Sequence, residues 1–298
     1  MPQKLPEEFL RKIRYIELSS RKLVESFFSG GYHSAFKGMG IEFAEVRPYQ
    51  PGDDVRSIDW NVTARFGHPY IKMFDEEREL TVILMVDVSA SGSFGTKEKF
   101  KSEISAEMCA AIAFSAVKNN DKVGLLIFSD RVELFIPPKK GKKHVLRLIR
   151  ELLFFKPKGR GTDIKNGLEM LNRTVKKRAI VFLVSDFDDA GFEKPLRAAA
   201  SRHDLIAVEI SDPAERNLPD AGLITLVDAE TGEEVLVDSS NPSFREKFLK
   251  ETRRKEEFLK KLLRSCRVDS IKVSTDVSPM EPLVKFFRKR EKKSLSGR

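Results

Sequence analysis

Four short apolar runs recur along the chain, at 80–86, 123–128, 180–184 and 205–210. Helical patterns at 97–118, 142–154, 163–175 and 190–201 alternate with them. None of the four runs switches cleanly between apolar and polar residues. Strands of that kind are covered on both faces, as in a parallel sheet. Their alternation with helices predicts an α/β fold with a doubly wound, mostly parallel, Rossmann-type sheet. The run 131–136, directly after Ser129-Asp130, reads as a hairpin partner and adds one antiparallel edge strand. Sheets of this type take ligands in the crevice beyond the carboxyl ends of their strands.

The flanking segments have other rhythms. Residues 6–28 read as an amphipathic helix carrying Phe9, Ile13, Ile16, Leu23, Phe27 and Phe28, stopped by Gly30-Gly31. Residues 39–79 form a small β-rich section, with alternation at 41–46 and 70–74 around the turn chemistry of Pro51-Gly52-Asp53-Asp54. Residues 223–227 and 234–237 flank Asp228-Ala229-Glu230-Thr231-Gly232 and predict a second hairpin. Asn241-Pro242 supplies an N-cap and a first-turn proline for a helix running to about Arg264. A strand near 268–274 and a helix near 280–290 follow. The expected organisation is an N-terminal helix and β-rich section over 1–79, the α/β domain over 80–290, and a disordered tail over 291–298.

Composition limits the function classes. Apolar residues make up 41% of the 298 positions, enough for a core and too many for a disordered chain. The net charge of +9 points weakly to an acidic partner; a solvated surface is the plainer reading. Cys109 and Cys266 are too few for a disulfide framework or a zinc cluster, and both read as small core residues in a reducing compartment. No apolar run follows Met1-Pro2-Gln3-Lys4, and the longest apolar stretches are strand-length. The expectation is a cytoplasmic protein with no signal peptide and no membrane span.

Asp87-Val88-Ser89-Ala90-Ser91 leaves the end of the first predicted strand on a loop containing Gly92, Ser93 and Gly95. One carboxylate and two hydroxyls at alternate positions are hard oxygen donors of low total charge. They suit Mg²⁺ or Mn²⁺ better than Zn²⁺. Thr162 and Asp163 precede a helical pattern and can equally cap it. Asp186 follows the strand 180–184, with Asp163, Asp188 and Asp189 as alternatives for its role. The predicted topology brings Asp87, Ser89, Ser91, Thr162 and Asp186 to one sheet edge on three loops.

Asp-x-Ser-x-Ser, a Thr after Gly-x-Gly and a strand-end Asp resemble the metal-ion-dependent adhesion site (MIDAS) of von Willebrand factor A domains, over roughly 80–275. By that resemblance Ser89, Ser91 and Thr162 offer hydroxyls to the metal, and Asp87 and Asp186 act directly or through water. The remaining coordination position is then left to an acidic side chain of a protein partner. A second resemblance is carried by the segment 47–60, Arg-Pro-Tyr-Gln-Pro-Gly-Asp-Asp-Val-Arg-Ser-Ile-Asp-Trp, with Thr63-Ala64-Arg65 after it. This is similar to the hallmark of the DUF58 family, whose members have a von Willebrand A-like domain. Many members carry transmembrane helices, which this sequence lacks, and many are encoded beside MoxR-type AAA+ ATPases. The resemblance therefore implies a partner of that type. Within the hallmark, Asp53, Asp54, Arg56, Asp59 and Arg65 can form an ion-pair network with Trp60 buried at its base.

These features favour a non-enzymatic, metal-dependent protein–protein interaction module. A metal-dependent phosphohydrolase is the alternative, but position 89 is Ser where the Asp-x-Asp nucleophile pattern needs Asp. No Walker-type loop, Gly-x-Ser-x-Gly elbow or His-Glu-x-x-His is present. His33, His68, His144 and His203 sit in unrelated contexts. Nucleic-acid binding through the basic helix 245–264 is a further alternative. Glu246, Glu251, Glu256 and Glu257 interrupt its cations, and no nucleic-acid partner is expected.

Overall fold

A computed structural model describes residues 41–76, 79–96 and 99–296. The helix expected over 6–28, and His33, lie outside the described residues. Ten strands and eight α-helices alternate in it. The central sheet has six strands: β3 (Thr81–Asp87), β4 (Lys122–Phe128), β5 (Val132–Lys139), β6 (Ile180–Ser185), β7 (Asp204–Ser211) and β10 (Asp269–Ser274). Their spatial order is β10-β7-β6-β3-β4-β5. All neighbours are parallel except β4 and β5, so the predicted antiparallel edge strand is present. From β3 the chain winds outward through β4 and β5, then returns to β6 on the other side of β3. That reversal is the topological switch point, where such sheets bind ligands. The order and the single antiparallel edge are those of a von Willebrand factor A-like fold.

Side-chain alternation explains why the apolar runs are continuous. Val82, Leu84 and Val86 face a core shared with Ile104, Met108 and Ile112 of α2 (Lys101–Lys118), with α3 (Lys142–Phe154) and with α8 (Met280–Ser296). Ile83 and Met85 face a second core with α4 (Ile164–Thr174), α5 (Glu193–Arg202) and α7 (Pro242–Ser265). A strand between two helical layers has no face left for water, so polar residues drop out until the strand ends. The apolar rhythm breaks at Asp87 and at Ser185, both at carboxyl ends.

The helix α8 continues to Ser296, through the segment expected to be a disordered tail. Arg290 is one reason for its position. Its guanidinium donates to both oxygens of Asp204 at 2.7 Å and to Asp269 at 2.7 Å. Those carboxylates open β7 and β10, so one cation clamps the helix to the amino ends of two adjacent strands.

The N-terminal section pairs β1 (Ile41–Pro48) with β2 (Tyr70–Glu76) in antiparallel fashion, with the short α1 (Trp60–Phe66) between them. Arg47 and Asp53 form a bidentate pair, with both N–H···O distances 2.8 Å. Asp54 and Asp59 instead accept from backbone N–H groups and cap the turns that follow. Trp60 is 69% exposed and does not bury the base of an ion-pair network as expected. It is the first residue of a seven-residue helix, and the buried position beside it is taken by the capping Asp59.

His203 closes α5, its N–H bonding the Ala199 carbonyl at 2.8 Å, immediately before β7. Its ring is buried, and among the described residues neither nitrogen has a hydrogen-bond partner. Burial first, then Arg202 and Arg178, push its pKa down to about 4. The unfolded chain takes up this proton near pH 6.5 and the folded chain does not. Stability is therefore lost as pH falls from about 6.5 to about 4, by roughly 3 kcal/mol over the full window. A His203→Leu variant should lose that much less than the wild type when denaturant unfolding at pH 7 is compared with pH 4. Parallel pH dependences for the two proteins would show that His203 is not the group responsible.

Candidate metal centre

Three loops meet at the switch point. The first follows β3. The Ser89 N–H folds back onto Asp87 Oδ1 at 2.9 Å, and the Ser89 and Ser91 hydroxyls lie 3.0 Å apart. The strand ends at Asp87, and a short 3-10 turn over Ala90–Ser93 brings the Ser91 hydroxyl back beside that of Ser89. The second loop follows β6. Ser185 Oγ donates to Asp87 Oδ2 at 2.7 Å, joining the carboxyl ends of adjacent strands. The same oxygen accepts from the Phe187 N–H at 3.0 Å. Phe187 has φ of +60°, a left-handed conformation that a bulky side chain adopts only under constraint. Its ring is buried against Phe192, with centroids 6.3 Å apart. That buried ring and the Ser185 bond hold the turn that presents Asp186, whose carboxylate the Ser91 hydroxyl helps to keep ionised.

The third loop precedes α4. The Arg160 carbonyl accepts from the Ala90 N–H at 2.9 Å, tying this loop to the first. Glu133 holds its stem, accepting from the N–H groups of Lys158 and Gly159 at 2.9 and 2.8 Å. A Cβ at Gly159 would meet the Ser129 hydroxyl and the Asp130 carboxylate, so a larger residue there would displace both side chains. Asp163 caps α4 through the Asn166 N–H at 2.8 Å, which leaves the Thr162 hydroxyl for the site. That hydroxyl donates to Glu230 Oε1 at 2.7 Å. The remaining acids of the 186–189 segment are otherwise engaged: Asp188 pairs with Lys255 at 2.7 Å, and Asp189 accepts from the Ile164 and Ala190 N–H groups. Of these candidates, Asp186 is the one whose charge acts on Asp87.

Three contributors were not apparent in the sequence. Ser185 bridges the two strand ends. Glu230 reaches Thr162 from the tip of a distant hairpin. Lys101, the first residue of α2, is buried with its ammonium 2.8 Å from Asp186 and 2.6 Å from Glu215. Burial works to lower the Lys101 pKa, but the charges of Asp186 and Glu215 outweigh it and hold the ammonium above the ordinary lysine range. Burial likewise works to raise Asp186, and Lys101 overcomes it, so this carboxyl lies below its usual range. Among the described residues, no cation acts on Asp87. Burial and then the Asp186 charge push it up to about 6.

This donor set fits a hard divalent cation. Its loops carry the hydroxyls of Ser89, Ser91 and Thr162 and the carboxylates of Asp87 and Asp186, with the Thr162 hydroxyl turned to Glu230. No three His, Cys, Asp or Glu side chains gather as a metal-binding group among the described residues. A site here therefore depends on hydroxyl oxygens. The crowding of Asp87 against Asp186 is the kind of repulsion that a bound cation relieves. Behind Asp186 a cleft of about 350 Å³ opens between β7 and α7, lined in part by Asp188, Glu209, Glu215 and Phe248.

Of the cysteines, Cys109 is a buried thiol whose pKa burial pushes up to about 12, and Cys266 is half-buried at the end of α7. No helix among the described residues is long and apolar enough to cross a membrane.

The chain matches the family described as "Protein of unknown function DUF58" over residues 45–258. It is 32% identical over 288 residues to the uncharacterized protein Rv1480 of Mycobacterium tuberculosis, covering 96% of this chain and 90% of that one. Among solved structures it is similar to the conserved hypothetical protein BatB from Bacteroides thetaiotaomicron, at 16% identity and a TM-score of 0.46, over 72% of this chain and 99% of that one. It is also similar to the mussel byssus proximal thread matrix protein 1, described with a zinc-occupied MIDAS motif, at 19% identity and a TM-score of 0.36, over 45% of this chain and 38% of that one.

Proposed function

The chain belongs to the DUF58 family, and within it we propose a non-enzymatic module that binds a protein partner through a divalent metal. The observation that carries this reading is the bonded set Asp87, Ser89 and Ser91 at the switch point, tied through Ser185 to the strand end that carries Asp186 and joined to the Thr162 loop. When bound, Mg²⁺ or Mn²⁺ would supply a Lewis-acidic position for a partner's carboxylate. Ser89, Ser91 and Thr162 would contribute neutral oxygens, and Asp87 and Asp186 the negative charge. Few charges around the cation leave it able to attract one more acid. Lys101 lowers the anionic charge further by holding one oxygen of Asp186.

The proposal of binding without turnover rests on residue chemistry. The residue two after Asp87 is Ser89, not a second acid, so the Asp-x-Asp nucleophile pattern is broken. A MoxR-type AAA+ ATPase acting in the cytoplasm, in assembly or maturation of protein complexes, is the partner we propose, on the family resemblance of the 47–65 segment. A nucleic-acid partner is disfavoured, since the basic helix α7 spends Lys255 on Asp188 and its Glu256 pairs with Arg216.

Two measurements test this. Calorimetric Mg²⁺ titration should show binding that Asp87→Ala and Ser89→Ala each weaken by at least tenfold, as expected when one of a few oxygen ligands is removed. Co-purification with and without chelator should show loss of the ATPase when the metal is withdrawn. Mg²⁺ affinity unchanged in both variants, with their folds intact, would overturn the metal reading. Turnover of phosphate esters that Asp87→Ala abolishes would move the site to the phosphohydrolase class.

A further inference from the structure

The central sheet ends in β5 on one side and in β10 on the other, and the two edges differ. The edge strand β5 carries Pro137 and Pro138, which lack N–H groups and blunt further pairing. The edge strand β10 contains no proline, and among the described residues no strand pairs with its outer side. The hairpin of β8 (Leu223–Val227) and β9 (Glu234–Asp238) pairs only with itself. A lysine on an edge strand usually deters pairing. Lys272, the one lysine of β10, is instead drawn inward, with its ammonium 3.0 Å from Glu209 directly across on β7.

A cleft of about 640 Å³ runs along residues 268–272, between α7 and α8. These helices pack on opposite faces of the sheet, so the cleft has one wall on each side of the edge. Seven lysine or arginine side chains and four acids line it. Three of the acids are engaged: Asp269 by Arg290, Glu209 by Lys272 and Glu256 by Arg216. Four exposed cations are left over. Lys260 and Arg264 lie one turn apart on α7, and Lys285 and Lys289 one turn apart on α8. Among the described residues no ion pair engages any of the four. With Glu257 as the one remaining acid, both walls keep a surplus of positive charge.

We propose that the β10 edge is a docking site for an acidic, extended segment of a protein partner, which joins the central sheet as a further strand. The main-chain groups on the outer side of β10 supply the hydrogen bonds of such an addition. Successive side chains of the added strand point alternately to the two faces of the sheet, and so toward α7 and toward α8. Acids on either face therefore meet a pair of cations. A second copy of this chain would bring the same cations to the edge and be repelled. A nucleic acid would satisfy the cations but leave the main-chain groups of the edge to water. The site is separate from the candidate metal centre, which lies at the carboxyl ends of β3 and β6, and it does not depend on the metal reading.

The test uses the full chain, with a metal chelator present, and a fluorescent peptide repeating Glu-Glu-Val-Val, which carries acids on both faces of a strand. The peptide should bind, and its affinity should fall as salt rises. Lys285→Glu combined with Lys289→Glu should weaken binding on the order of tenfold or more. Both side chains are exposed, so the double variant should fold as the wild type does. Bound peptide should slow amide hydrogen exchange within 269–273, which charge attraction alone would not do. No binding, equal binding of a Lys-Lys-Val-Val peptide, or binding without slowed exchange in β10 would each overturn the proposal. Tighter binding of a single-stranded oligonucleotide, weakened by the same double variant, would make the cleft a phosphate-binding surface instead. Exchange within 269–273 that slows as the protein alone is concentrated would make the edge a contact between copies.

Discussion

Lys101→Met should lower the unfolding free energy by about 3 kcal/mol without Mg²⁺, and saturating Mg²⁺ should restore much of the loss. Methionine preserves the length and apolar stem of lysine, so the change is chiefly one of charge. The ammonium is buried, and its Asp186 partner is only 14% exposed. Removing the cation leaves Asp186 beside Asp87 with nothing to offset their repulsion. Glu215, 35% exposed, can turn to water, which keeps the loss toward the low end for a broken buried pair. A cation bound by Asp87 and Asp186 replaces the missing charge and stabilises the variant more than the wild type. Denaturant unfolding of both proteins, with and without Mg²⁺, measures all four states of this cycle. A loss below about 1 kcal/mol would mean that the ammonium is no more than a surface charge. A loss that Mg²⁺ does not diminish would separate Lys101 from the metal site.

What could be read from the sequence was local or periodic. Buried parallel strands announce themselves because both faces are apolar, and 80–86, 123–128, 180–184 and 205–210 all became strands of the central sheet. The 131–136 edge strand, the 223–237 hairpin and the Asn241 cap were legible from turn and cap chemistry. Asp87, Ser89 and Ser91 stood out because they lie within five residues of one another. Lys101 and Glu230 did not, because each acts across the fold: Lys101 meets Asp186 from 85 positions away, and Thr162 meets Glu230 from 68. A lysine in a first helical turn and a glutamate in a hairpin tip both read as solvated residues until the topology is known. Trp60 misled for the opposite reason. A lone tryptophan is expected to be buried, but its short helix turns it to solvent.

Asp212→Ala should cost about 3 kcal/mol or more, and it should loosen the metal loop from behind. Asp212 is fully buried at the end of β7 and accepts from four donors: the Thr96 N–H at 3.0 Å, the Thr96 hydroxyl at 2.6 Å, the Ala214 N–H at 2.9 Å and the Thr275 hydroxyl at 2.5 Å. Burial works to raise its pKa, but Thr275, Thr96 and Ala214 stabilise the carboxylate and bring it below the usual range. Alanine removes the acceptor of all four bonds and strands the buried Thr275 hydroxyl, at about 1–3 kcal/mol for that donor alone, while the more open Thr96 and Ala214 donors turn to water. Asparagine keeps one acceptor oxygen and should recover part of the loss. The consequence extends to the site. Thr96 belongs to the loop that begins at Asp87, and the Asp212 N–H bonds Glu215, the second partner of Lys101. The carboxylate anchors the far end of the serine-bearing loop and caps the short turn that carries Glu215, the acid that helps hold the buried ammonium. Hydrogen exchange in Asp212→Ala should rise first at 92–96 and at 213–216, with the β3 and β6 amides still protected. Uniform loss of protection would make Asp212 a global support; loss confined to 92–96 and 213–216 would identify it as the brace of the metal loop.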